Sequence, residues 1–212
     1  GGWSGRAAFN RGQILYRIAE MQKKKKIQFI DELMKQDVSR ADAEKEVNLS
    51  IDRLIYYSGW CDKFQQLYST VNPVASSHFN FSAPEPTGVV SIIAPQNNSL
   101  IGLVSVIAPI IAGGNTCVVL ASASKPLCAV TFAEVLGTSD VPGGTINILT
   151  GKPGELLSWF SDHMDVNAIV FCENDKEAIL KIQQKATLNL KRVLLWNNYN
   201  WLLETAQNPY LI

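Results

Sequence analysis

GVVSIIAPQNNSLIGLVSVIAPIIAGGNTCVVLA, from Gly88 to Ala121, sets two short β-rich apolar runs on either side of an apolar helical stretch. The runs are GVVSIIA (88–94) and TCVVLA (116–121), and the helix spans about Ser99 to Ala112. Runs this short and this continuously apolar suit strands covered on both faces. The alternation continues downstream. A helix from Pro126 to Leu136 leads to TINILT (145–150), and one from Pro153 to Phe160 leads to NAIVF (167–171). A last helix, Asp175 to Leu188, precedes RVLLW (192–196). Strands separated by helices imply crossover connections, hence an α/β fold with a doubly wound parallel sheet of about five strands.

The first seventy residues have a different texture, helical and charged. Ile14, Leu15, Ile18 and Ala19 form one apolar face, and Ile27, Ile30, Leu33 and Met34 continue it after a break at Lys23 to Lys26. That lysine run reads as a solvated turn or face. Ser39 followed three residues later by Asp42 resembles a capping box. The helix it opens carries Ala43, Val47, Ile51, Leu54 and Ile55 on one side. Two or three helices therefore come first. From Tyr68 to Pro86 the chain is Ser-, Asn- and Pro-rich, and the alternation around His78, Phe79, Asn80 and Phe81 predicts a connecting hairpin or edge strand. The expected organisation is N-terminal helices over 1–70, a connecting hairpin over 71–86 and the α/β core over 87–212, packed as one domain.

Composition narrows the function. Of 212 residues, 19 are basic and 19 acidic, so no electrostatic footprint for nucleic acid is present. The longest apolar stretch, Leu100 to Leu120, is interrupted by Pro109, Gly113, Gly114 and Asn115, which argues against a membrane span. Cys61, Cys117, Cys128 and Cys172 are far apart and only His78 and His163 stand beside them, so no zinc-ligand spacing exists. Four reduced thiols and no apolar leader point to a soluble, cytoplasmic chain.

Four segments in register carry a family resemblance. PEPTGVVSIIAPQNNSLIG, IAPIIAGGNTCVVL, VPGGTINILTG and HMDVNAIVF follow the order and spacing of the aldehyde dehydrogenase superfamily, and NRGQILYRIAE resembles its leading helix. The resemblance implies a Rossmann-like cofactor-binding portion without the catalytic domain, in a family that oxidises aldehydes with NAD(P) through a cysteine thiohemiacetal. It implies a nucleophilic Cys about thirty residues beyond the last strand, outside this sequence, because a thiolate attacks the aldehyde. It also implies a general-base Glu at the last strand, where Trp196 stands, and an indole takes no proton.

The implied cofactor positions are eroded too. Ala121 stands where the family has the Lys that holds the adenosine ribose, and Lys125 follows four residues later. Glu173 and Asn174 replace a Gly-Ser that opens a helix toward the pyrophosphate, Gln96 replaces a Trp, and Cys172 takes the place of a Thr. Cofactor-binding positions are vestigial at best: Ile93, Pro95, Asn97, Gly151 and Phe171. Asn97 matches the family's oxyanion-hole Asn. Gly88, Pro95, Gly114, Asn115, Pro142, Gly143, Asn147 and Gly151 also match, as residues that shape turns and bond loop backbone.

The resulting expectation is an inactive, pseudoenzyme-like module, similar to the second module of two-module aldehyde dehydrogenases, serving structure, assembly or partner binding. No cofactor is expected, or NAD if the family site still works. Partners would be a second copy or another aldehyde dehydrogenase module, met through the Asp175–Leu188 helix and the hairpin, with no nucleic acid and no membrane. Two alternatives stand beside it: a truncated part of an active NAD-dependent aldehyde dehydrogenase, or a non-catalytic NAD binder.

Overall fold

Apolar spacing in the opening segment produces Ala8–Lys24 (α1), Lys26–Met34 (α2), Arg40–Ser58 (α3) and the short Phe64–Tyr68 (α4), in a computed structural model describing residues 2–212. Four helices thus stand where two or three were expected, the fourth a single short turn. Ile14, Leu15, Ile18 and Ala19 are buried on α1, and Ala43, Val47, Ile51 and Leu54 on α3. Three positions depart from the periodicity. The chain breaks only at Lys25, and α2 restarts with a shifted phase that turns Phe29, Ile30 and Leu33 inward. Ile27 and Met34 fall outside that stripe and are exposed, as is Ile55 on α3. Ser39 caps α3 by accepting the Asp42 N–H at 3.2 Å, while its hydroxyl donates to the Asp42 carboxylate at 2.7 Å.

Thr70–Asn72 (β1) and Asn80–Ser82 (β2) form an antiparallel pair, with Val71 opposite Phe81. The remaining strands build one parallel sheet: Val89–Ile93 (β3), Thr116–Leu120 (β4), Ile146–Leu149 (β5), Ala168–Phe171 (β6) and Arg192–Leu195 (β7). Their spatial order is β5-β4-β3-β6-β7. The sequence-read boundaries lie within about two residues of these, as boundaries of this kind usually do. Cover on both faces holds for β3, β4 and β6. It does not hold at the edges, where Leu149, Leu194 and Leu195 are partly open to solvent.

Ser99–Ala112 (α5), Leu127–Gly137 (α6), Pro153–Asp162 (α7) and Lys176–Ala186 (α8) connect the strands. Side chains alternate across the pleat. Val90, Ile92, Val119 and Val170 enter a large core with α1, α2, α3, α5 and α6. Ile93, Leu120, Ile169 and Phe171 enter a smaller one with Leu157 and Phe160 of α7 and Ile182 of α8. All fourteen residues of α5 are buried. Its first free N–H groups meet a side chain from α3: Glu46, 3% exposed, accepts from Leu100 N at 2.8 Å and Ile101 N at 3.2 Å. The C-terminal segment returns across α3 and α5. Arg53 donates to Ser105 Oγ at 2.8 Å and to the Trp201 and Leu203 carbonyls at 3.2 Å, and Tyr57 Oη donates to the Asn208 carbonyl at 3.2 Å.

The strand starts are pinned by amides. Asn115 Oδ1 accepts from Gly88 N and Asn167 Oδ1 from Val89 N, both at 2.9 Å. Asn147 donates to the Gly144 carbonyl at 3.0 Å and the Cys117 carbonyl at 3.2 Å. Gly88 has φ +124°, and a Cβ there would sit 2.3 Å from Asn167 Oδ1. Gly88→Ala combines that clash with a strained backbone and is expected to cost about 2–4 kcal/mol in denaturant unfolding. Glu46→Ala leaves two buried donors without an acceptor and should cost about 2–4 kcal/mol by the same measurement. Burial raises the Glu46 pKa above the usual carboxylate range, against the pull of the Leu100 and Ile101 N–H groups. A raised folded-state value means its contribution to stability is complete below the ordinary Glu pKa and is lost as pH rises through the raised one. Glu46→Gln does not titrate, so its stability relative to the unmodified chain should increase from about pH 4 toward neutrality.

Candidate functional site

In open parallel sheets ligands lie beyond the C-terminal ends of the strands. Here the loops after β3, β4 and β6 meet at that edge because those strands are neighbours. Ile93 and Pro95 are buried, Phe171 is 2% exposed and Ala121 1% exposed, so all four line the base of the edge rather than reaching from it. Gln96 ties the three loops together. Its N–H donates to Glu173 Oε1 at 3.0 Å, its Oε1 accepts from Ala123 N at 2.8 Å, and its carbonyl accepts from Ser122 Oγ at 2.9 Å. The sequence reading of Gln96 recorded only the loss of a Trp and missed this knot, which depends on contacts between residues far apart in the chain.

Glu173 is half-buried, and loss of water raises its carboxyl pKa despite the Gln96 N–H. Asn174 donates to the Asn197 carbonyl at 3.0 Å. Asp175 caps α8, its Oδ1 accepting from Glu177 N at 3.0 Å and Ala178 N at 3.1 Å. An Asp one residue ahead of a helical run is a readable N-cap, so this contact was available from the sequence.

The other positions named from sequence lie farther out. Gly151 follows edge strand β5, and a Cβ there would meet Leu156 Cδ1 at 3.3 Å, so the Leu156 side chain packs over it. Trp196 follows the opposite edge strand, β7. Its side chain is 7% exposed and sits in the large core, and its backbone N–H donates to the Phe171 carbonyl at 2.9 Å. Asn97 is exposed and lines a hollow of about 410 Å³ with Asn98, Glu46, Lys125, Asp37 and Asp42. Lys125 therefore opens on the α3 side, and its own N–H is held by Ser122 Oγ at 3.1 Å. The structure thus gathers Ile93, Pro95, Ala121, Phe171, Gln96 and Glu173 and leaves Gly151, Trp196 and Asn97 apart from one another.

All four thiols are free and buried. Burial pushes Cys61 and Cys117 up to about 12 and raises Cys128 and Cys172 well above the ordinary thiol value. A thiol so placed stays protonated at neutral pH and is a poor nucleophile. His78 is exposed in the hairpin beside Ser76, and His163 follows α7, where its Nδ1 accepts from Asp165 N at 3.3 Å.

The architecture and these loops have counterparts among known proteins. Cytosolic 10-formyltetrahydrofolate dehydrogenase of Homo sapiens is 31% identical over 198 residues, covering 92% of this chain and 22% of that protein. Aldehyde dehydrogenase, cytosolic 1, of Elephantulus edwardii is 29% identical over 201 residues, covering 91% of this chain and 38% of that one. The structure of betaine aldehyde dehydrogenase from Staphylococcus aureus in complex with NAD+ matches with a TM-score of 0.83 at 25% identity, over 91% of this chain and 38% of that chain. The chain therefore spans well under half the length of each. With its residues 1–197 also matched by the family model for aldehyde dehydrogenases, the chain belongs to the aldehyde dehydrogenase family.

Proposed function

We propose that the chain is a non-catalytic aldehyde dehydrogenase module that serves structure, assembly or partner binding and holds no NAD. The observation that carries this reading is at the start of α8. The N–H groups of Glu177 and Ala178, which the family resemblance turns toward a pyrophosphate, are taken by Asp175. Glu173 lies two residues before that cap, and a carboxylate about 4 Å from a phosphate repels it by roughly 1 kcal/mol in water and several times that when partly buried. The residues present thus do not fit the cofactor. Trp196 supports the same reading, since a base must reach substrate and this side chain is packed in the core.

The partners in this proposal are a second copy or another aldehyde dehydrogenase module, and the compartment is the cytoplasm. Its supports are free thiols, several relatives described as cytosolic beside others described as mitochondrial, and the finding that among the described residues no helix is long and apolar enough to cross a membrane. A second reading, part of an active enzyme whose remaining sequence supplies the nucleophile, has one observation behind it. The amide of Asn97 is exposed and makes no hydrogen bond among the described residues, as an oxyanion donor requires before substrate arrives. Trp196 weighs against it, because added sequence does not restore a base at that position.

Calorimetric titration with NAD and NADH, followed by thermal unfolding in their presence, tests the proposal. No heat and no rise in Tm are expected up to millimolar cofactor. Saturable micromolar binding by the unmodified chain would refute it. The Glu173→Ser, Asn174→Gly, Asp175→Ala triple variant should bind NAD at least about tenfold more tightly than the unmodified chain, since it removes the nearby carboxylate, frees the two helix-end N–H groups and restores small residues there.

A further inference from the structure

Two hollows adjoin along α1. One, of about 710 Å³, is lined by Phe9, Gln13, Tyr16, Glu20, Cys61 and Lys63 among others. The second, of about 420 Å³, is lined by Tyr16, Ala19, Glu20, Lys23, Ile51 and Ile55 together with Lys24. Tyr16 and Glu20 belong to both, so the hollows form one groove running between α1 and α3. Neither shares a residue with the loops at the C-terminal edge of the sheet.

Large apolar side chains stand along this groove without cover. Phe9 is 64% exposed, Tyr16 50% and Ile55 43%. Its charge is uneven along its length. Glu20 is paired with Arg17, and Lys25 of the lysine run is spent on Glu134 of α6. Among the described residues Arg6, Lys23, Lys24 and Lys63 have no carboxylate partner, against two unpaired acids on the groove, Asp62 and Asp140. A concave strip with apolar walls, unpaired lysines at the Lys23–Lys24 end and balanced charges at the other has the chemistry of a helix-binding groove.

We infer that the α1–α3 groove docks an acidic amphipathic helix of a partner protein, its apolar stripe on Phe9, Tyr16 and Ile55 and its carboxylates on Lys23 and Lys24. The concavity selects this occupant over an anionic lipid surface, since a flat bilayer reaches the lysines but not the floor at Ala19 and Ile51. The inference deepens the partner-binding reading above and rests on it, and the two fail separately: NAD binding would refute that reading without changing what the groove does in the following experiment.

The probe is a fluorescein-labelled peptide of about 18 residues, long enough to match α1, with Leu at i, i+3, i+4 and i+7 and Glu on the flanks. Fluorescence anisotropy with the whole chain should show saturable binding that weakens several-fold between roughly 50 and 300 mM salt. Lys23→Glu with Lys24→Glu should weaken it at least tenfold, and so should Tyr16→Ser; these are surface positions, and an unchanged Tm confirms that the variants are folded. Three results would overturn the inference. They are no saturable binding, equal binding of a scrambled peptide of the same charge without an apolar face, or co-sedimentation with phosphatidylserine vesicles in place of peptide binding.

Discussion

Everything else in this structure is arranged around one helix that has no face turned to water. A helix apolar all round must be surrounded, and α5 is buried along its whole length. The sheet covers one side, α1 and α3 cover another, and the C-terminal segment closes a third through Trp201, Leu211 and Ile212. The polar demands of that burial are met from α3. Glu46 takes the free N–H groups at the start of α5, and Arg53 joins Ser105 in its middle to the Trp201 and Leu203 carbonyls. A single helix of mixed character thus supplies both the apolar lid and the charged groups that make an apolar helix tolerable in the core.

The same requirement sets the position of the loop after β3. Because Glu46 fixes the first turn of α5, the Gln96–Asn98 turn between strand and helix is held from both ends. Asn98 adopts a left-handed conformation at φ 52° to enter the helix. Gln96 then becomes the fixed point to which the loops after β4 and β6 attach. In this chain they are joined by its own amide and carboxylate groups.

Much of the fold was legible because apolar patterning and fold agree almost everywhere between Gly88 and Leu195. Ser99–Ala112 is as the sequence reads it, since a strongly apolar run bounded by Asn98 and Gly113 leaves little choice. Ile27, Met34 and Ile55 escaped the reading for a specific reason. Periodicity gives a stripe but not its width, and the one-residue break at Lys25 rotates α2 by an amount that contacts with α3 and α6 decide. Edge exposure at Leu194 and Leu195 was also hidden, because strand order is a tertiary property. At the candidate site, substitutions were readable one by one and their mutual contacts were not. Asp175 at the start of α8 obeys local capping rules, whereas the bond from Gln96 to Glu173 joins residues whose proximity follows only from β3 and β6 being neighbours.

Asp175, Trp196 and Gln96 share a physical direction. An Asp at a helix N-cap stabilises the helix by about 0.5–2 kcal/mol whether or not a ligand is present, and it occupies the donors an anion would use. Trp196, buried just past the end of β7, adds apolar contact to the core. Gln96 uses its hydrogen bonds on neighbouring loops. Each of these groups is thus satisfied within the protein itself. Gly88, Asn115 and Asn147 likewise serve the fold, through backbone angles and strand starts. Their retention therefore follows from the fold alone, and the presence of these motifs says nothing about catalysis.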